Sequence, residues 1–133
     1  SFGQRGEILK ALGKKLREQR DELLELSKIN NGATAADGSF DVDGGAGALA
    51  VYGNLGIALG DRRFLIDGAG DSLAKTETFW SQHVQVPKSG VAVHVNAFNF
   101  PAWGFAEKLP SRSASVGTVA VRPWTSLCLR KPV

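Results

Sequence analysis

Two short apolar runs, Val91-Ala92-Val93-His94-Val95 and Val116-Gly117-Thr118-Val119-Ala120-Val121, flank a proline-led stretch of helical composition. Runs of this length without polar alternation suit strands covered on both faces, as in parallel sheets. A helix between two such strands makes a βαβ unit with a right-handed crossover. Strand 91–95, a helix starting over Ala102 to Leu109 and strand 116–121 therefore put the chain in the α/β class, with the βαβ unit over 91–122. A doubly wound sheet needs more such units than 133 residues hold once two long helices are subtracted. The chain is thus expected to be part of an α/β domain.

The helices precede this unit. Ile8, Leu12, Leu16, Leu23, Leu24 and Leu26 recur at helical spacing, predicting one amphipathic helix over 4–29 that stops at Asn30-Asn31-Gly32. A second helix is predicted over 44–59, with Asp43 as N-cap, Gly60 as stop, and Ala46, Leu49, Val51, Tyr52, Leu55 and Ala58 as its apolar side. Its glycines point to close helix packing. Residues 60–78 read as a polar connection containing the apolar piece Phe64-Leu65-Ile66. His83 to Val86 alternate, Lys88-Ser89-Gly90 can turn, and Val91 to Val95 follow, so a β-hairpin is predicted over 81–95.

Composition excludes several classes. Apolar residues at 43% and charged residues at 22% suit a globular chain, and are neither collagenous nor wholly disordered. Cys128 is the single cysteine, which rules out an internal disulfide and any multi-cysteine metal site. No apolar run approaches membrane-spanning length and Ser1-Phe2-Gly3-Gln4-Arg5 does not open a signal peptide, so a cytoplasmic protein is expected. The first residue is not methionine and the last four, Arg130-Lys131-Pro132-Val133, carry no helix stop; both ends read as cut from something longer. Charge is uneven. Residues 1–30 sum to +2, 31–77 to −4, 78–107 to zero and 108–133 to +5. A basic end of this kind can hold the phosphates of a nucleotide or of a nucleic acid.

Gly45-Ala46-Gly47-Ala48-Leu49-Ala50 fits the dinucleotide fingerprint, with Asp67 at about the distance of its ribose-binding acid. That mechanism needs a buried strand feeding the glycine turn, and the preceding Asp41-Val42-Asp43 is too acidic to be one. Asp41 and Asp43 lack the later oxygen ligands of a calcium loop, so helix capping is their better use. His83 and His94 have no cysteine or carboxylate pattern beside them for zinc and read as satisfied strand histidines; no metal is expected. Cys128 has basic neighbours but no assignable base. Asn99 is different. It follows a buried strand at the C-terminal edge of a parallel sheet, where α/β proteins bind ligands. Its amide can donate to a developing oxyanion or merely cap the next helix, and the residues alone leave both open.

Asn99-Phe100-Pro101, preceded by an apolar strand and followed by Glu107-Lys108-Leu109, resembles the N-F-P motif of the aldehyde dehydrogenase superfamily. Val119-Ala120-Val121-Arg122-Pro123 resembles its companion strand ending in Lys-Pro. Gln4-Arg5 with the first helix, Asp43-Gly44-Gly45 and His94-Val95-Asn96-Ala97-Phe98-Asn99-Phe100-Pro101 are similar to one branch, the semialdehyde dehydrogenases of bacterial phenylacetate and benzoyl-CoA catabolism. The resemblance spans nearly the whole chain. It implies that residues 1–133 are an early part of a Rossmann-like NAD(P)-binding domain, with a hairpin that helps a full-length homo-oligomer form. Asn99 would stabilise the thiohemiacetal oxygen formed on an aldehyde substrate. Val95, Asn96 and Phe98 would line the nicotinamide side of the cofactor, and Arg122 would stand in place of the lysine that holds the adenosine ribose.

The departures from the family pattern carry information too. Thr125 stands where NAD-preferring members often carry a ribose-binding glutamate, so NADP should be tolerated as well as NAD. Residues 110–118 are more polar than the family's apolar helix. The family's nucleophilic cysteine and general-base glutamate lie far downstream of N-F-P, so Cys128 and Glu107 are neither, and this stretch alone should be inactive. The reading from another class is a small basic module binding nucleic acid through residues 108–133. It lacks the interleaved aromatics of such binders.

Overall fold

The computed structural model describes residues 1–76, 78–87, 91–113 and 118–123. Elements follow in the order α1 (Phe2–Glu18), α2 (Arg20–Asn31), α3 (Ala35–Leu59), β1 (Leu65–Ser72), β2 (Trp80–Gln85), β3 (Val91–Asn96), α4 (Pro101–Ser113) and β4 (Thr118–Pro123). No helix among the described residues is long and apolar enough to cross a membrane.

The helix expected over 4–29 is two helices. Gln19 (φ −102°, ψ 17°) leaves the helical conformation between them, and the side chain of Arg20 then turns onto α3. Its Nε and Nη2 each donate to Asp43 at 2.8 Å, and Nη2 also donates to Ser39 Oγ at 3.2 Å. The helix stops where Asn30-Asn31-Gly32 predicts: Gly32 takes the left-handed conformation (φ 71°) that a side chain resists, and its N–H donates to the Lys28 carbonyl.

The second predicted helix starts nine residues earlier than expected, at Ala35 rather than 44. Thr34 is its N-cap, accepting the Asp37 N–H at 3.2 Å. Asp43 is therefore inside the helix, committed to Arg20, and is not a cap. The glycines do serve close packing. A methyl group on Gly6 would lie 2.6 Å from the Gly53 carbonyl oxygen, so α1 and α3 touch backbone to backbone. A methyl on Gly44 would overlap the Trp103 ring of α4. The fingerprint-like Gly45-Ala46-Gly47 stretch is thus helix interior, with no strand feeding it.

Leu9, Leu49 and Ala106 form the buried centre, with Leu12, Leu16, Ala48 and Leu109 packed around it. The core therefore lies between α1, α3 and α4. Ile8, expected on the apolar face, is 67% exposed, because the glycine-lined approach of α3 turns Leu9 inward instead. Val51 and Leu55 of the expected α3 face are exposed as well.

The predicted hairpin over 81–95 is corrected in its partner. β2 pairs antiparallel with β1, from Leu65 opposite Gln85 to Ser72 opposite Trp80. The Phe64-Leu65-Ile66 piece thus begins a strand, and the register shifts between Asp67 and Asp71, where Gly68 has φ 69°. The turn expected at Lys88-Ser89-Gly90 lies outside the described residues. β3 pairs with β4 and with no other described strand. That pairing is parallel, from Val91 opposite Thr118 to Asn96 opposite Pro123. With α4 between them, the predicted βαβ unit is present.

Candidate active site at the strand edge

Because β3 and β4 are parallel, their C-terminal ends share one edge. Val95 stands opposite Arg122 there, and Asn96 opposite Pro123. Residues 97–100 cross this edge to α4, which opens on Pro101, whose fixed φ suits the first helical turn. The residue before it, Phe100, has no side-chain oxygen. The first N–H groups of α4 consequently need an acceptor from elsewhere in the fold.

Asp41 supplies it. This carboxylate is 2% exposed and reaches across from α3. Its Oδ2 accepts the Ala102 N–H at 3.0 Å and its Oδ1 accepts the Trp103 N–H at 2.7 Å. A helix N-terminus favours negative charge, and a capping interaction of this type is typically worth about 1 kcal/mol. The close seat of α3 on α4 makes the reach possible: a methyl on Gly45 would stand 3.1 Å from the Ala102 carbonyl oxygen. Phe40, one residue before Asp41, meets the Phe100 ring edge-on at 6.1 Å and the Trp103 ring at 4.8 Å.

Two further tethers hold the crossing. Asn31, the last residue of α2, donates through Nδ2 to the Phe98 carbonyl at 3.1 Å. Lys108 of α4 reaches back to β3, donating to Asn96 Oδ1 at 2.8 Å and to the Val95 carbonyl at 3.3 Å.

Against this frame the sequence-predicted residues separate. Asn99 is exposed, and its side chain has no hydrogen-bond partner among the described residues. The capping role open to it is taken by Asp41. Val95 and Phe98 are 63% and 52% exposed at the same edge. Asn96 is only 4% exposed and its amide oxygen is engaged by Lys108, so its side chain points away from the open edge. Arg122 is in β4 beside Val95 by register. Thr125 and Cys128 lie outside the described residues. His94 is buried, and rather than being satisfied its Nε2 has no partner among the described residues.

The aldehyde dehydrogenase family model matches residues 1–129. The chain belongs to the aldehyde dehydrogenase family. Over 108 residues it is 45% identical to the 3,4-dehydroadipyl-CoA semialdehyde dehydrogenase of Aromatoleum evansii. That match covers 81% of this chain and 21% of that protein, so the chain spans a minor part of its relative's length. Among solved structures, it is similar in fold to betaine aldehyde dehydrogenase of Staphylococcus aureus in complex with NAD+. The TM-score is 0.71 at 18% identity, over 92% of this chain and 23% of the other. As a member of the aldehyde dehydrogenase family, the chain has the α/β fold expected of it.

Asn31, Asp41 and Lys108 were not legible as site residues. A signal for Asp41 did exist: a proline-led helix preceded by phenylalanine has no side-chain cap of its own, which leaves its first N–H groups open to a carboxylate from elsewhere in the chain. Nothing comparable marked Asn31, which reads as a helix stop.

Proposed function

We propose that residues 1–133 form the early part of the cofactor-binding domain of an NAD(P)-dependent aldehyde dehydrogenase, and that Asn99 is its oxyanion donor. The observation that carries this reading is the unengaged Asn99 amide at the C-terminal edge of the β3–β4 pair, with the start of α4 capped by Asp41. When a thiolate adds to an aldehyde carbonyl, negative charge gathers on the carbonyl oxygen. A preorganised amide N–H aimed at that oxygen stabilises it there more than in the free substrate. The nucleophilic cysteine of this reading stands outside residues 1–133, and this stretch alone is inactive.

NAD(P), when bound, supplies the hydride acceptor that converts the aldehyde carbon to the acid level. The residues present fit it. Val95 and Phe98 offer exposed apolar surface for the nicotinamide side, and Arg122, opposite Val95 in register, is the residue that the family resemblance assigns to the adenosine ribose. Asn96 acts from beneath, through its bond to Lys108. By the same resemblance Thr125 takes the place of a ribose-binding glutamate, so NADP is accepted as well as NAD.

The substrate is a semialdehyde, as the name of the Aromatoleum relative supports, and the resemblance to the phenylacetate and benzoyl-CoA branch makes it one of aromatic-acid breakdown. The β1–β2 hairpin exposes Ile66, Trp80 and Val84, and a two-stranded hairpin is marginal alone. It packs between copies of the full-length chain in a cytoplasmic homo-oligomer. Absorbance of NAD(P)H during turnover of the full-length protein with a ring-cleavage semialdehyde tests the reading. Formation of the acid and NAD(P)H is expected; no oxidation of that or any other aldehyde overturns it.

A further inference from the structure

We infer that Asp41 and Asn31 are positioning residues that set where the Asn99 amide points, an inference that rests on the proposed role of Asn99. Residues 97–100 have no regular structure of their own, so their course depends on where β3 ends and α4 begins. The start of α4 is pinned by Asp41, whose two carboxylate oxygens take consecutive N–H groups, of Ala102 and Trp103. The carbonyl just before Asn99, that of Phe98, is pinned by Asn31 Nδ2 at 3.1 Å. The backbone is therefore held on both sides of Asn99 by two helices, α2 and α3, that carry no reacting group. The Asn99 side chain itself is left unengaged among the described residues.

This division of labour is what a preorganised donor needs, since a partner on the amide would have to be broken before it could serve a substrate oxygen. A misplacement of about 1 Å at such a donor can cost about 10²-fold in rate. Asp41→Asn keeps the shape but turns an NH2 toward one of the two backbone N–H groups, so one bond is lost and that end of α4 shifts. Asn31→Ala removes the other tether from a half-buried position outside the core, and keeps the test decisive where Asp41→Asn fails to fold.

The experiment is steady-state kinetics of the full-length enzyme carrying Asp41→Asn, Asn31→Ala, Asn99→Ala and each pair with Asn99→Ala, with folding checked by thermal unfolding. Both tether variants should lower kcat about tenfold or more while KM for the cofactor changes by less than about twofold. In the Asn99→Ala background neither tether variant should slow the enzyme further, because the tethers act through that amide. Parent-like kcat in a folded Asn31→Ala or Asp41→Asn enzyme overturns the inference. So do losses that multiply with that of Asn99→Ala. Parent-like kcat in Asn99→Ala alone instead overturns the assignment of Asn99, and the positioning role falls with it.

Discussion

Arg20 grips Asp43 with two parallel hydrogen bonds, Nε to Oδ1 and Nη2 to Oδ2, each 2.8 Å long. The pair joins the first residue of α2 to the interior of α3 and stands where the first helix breaks. The guanidinium holds the Asp43 carboxyl below its ordinary value, first through the hydrogen bond and then through its charge, and the carboxylate raises Arg20 in turn. Both side chains keep substantial contact with water, so salt screens the pair.

The pH dependence of this contact has a definite sign. A carboxyl depressed on folding contributes stability that is fully present above its unfolded pKa and is lost as the pH falls through the folded one. Asp43→Asn should therefore lower the unfolding temperature at neutral pH. The difference from the parent should shrink through the acid carboxylate range and vanish once Asp43 is protonated. Thermal scans of both proteins from neutral to acid pH check this; a difference that persists unchanged in acid would assign the loss to packing.

Asn99→Ala in the full-length enzyme should reduce kcat by about 10²–10³-fold, the usual cost of deleting one oxyanion donor, while cofactor affinity changes little. Steady-state kinetics with cofactor titration separate the two effects. An unchanged kcat would leave Asn99 as a surface residue of the strand edge.

Cofactor choice should follow Arg122 and Thr125. A guanidinium can pair with a 2′-phosphate through two charge-assisted bonds, and threonine offers it no repulsion. NADP should be used at least as well as NAD, and Thr125→Glu should shift the preference toward NAD by repelling the phosphate and accepting from the ribose hydroxyls. The ratio of kcat/KM for the two cofactors, in parent and variant, is the measurement. A parent strongly selective for NAD would remove these residues from the choice.

Two glycine substitutions should have opposite signs. Gly6→Ala puts a methyl 2.6 Å from the Gly53 carbonyl oxygen and 2.8 Å from the Ile57 nitrogen, both backbone atoms that yield only if α1 and α3 separate. It should destabilise by about 1–3 kcal/mol, the range typical of overpacking. Gly47→Ala meets no atom within 4 Å beyond its own stretch of helix and should stabilise α3, by up to about 1 kcal/mol of helix propensity. Denaturant midpoints of the two variants against the parent decide between these outcomes. Equal shifts of the same sign would mean that propensity, not helix contact, governs both sites.

Much of this protein is written locally. The apolar runs of β3 and β4 and the proline at the head of α4 determine the βαβ unit. Asn30-Asn31-Gly32 determines where α2 stops, and the N-F-P residues place Asn99 at the strand edge. Each of these depends on neighbours in sequence, through strand burial, ring-fixed φ or the freedom of glycine.

What remained illegible depends on partners far along the chain. The leucine spacing runs through Gln19 without a change of phase and so does not mark the break there, which coincides with Arg20 meeting Asp43 of α3. Val84 and Val86 alternate with polar neighbours in a way that suits pairing with either flanking segment. The tertiary structure gives β2 to β1 and reserves β3 for β4. Asp41 reads as one of two acids near a helix start, and becomes the cap of α4 only when glycine-lined helices bring it to Trp103 across 62 positions. Sequence periodicity reports which face of an element is apolar; it carries no term for which other element a polar group will meet. That meeting is decided by packing, and here packing leaves the Asn99 amide unengaged among the described residues.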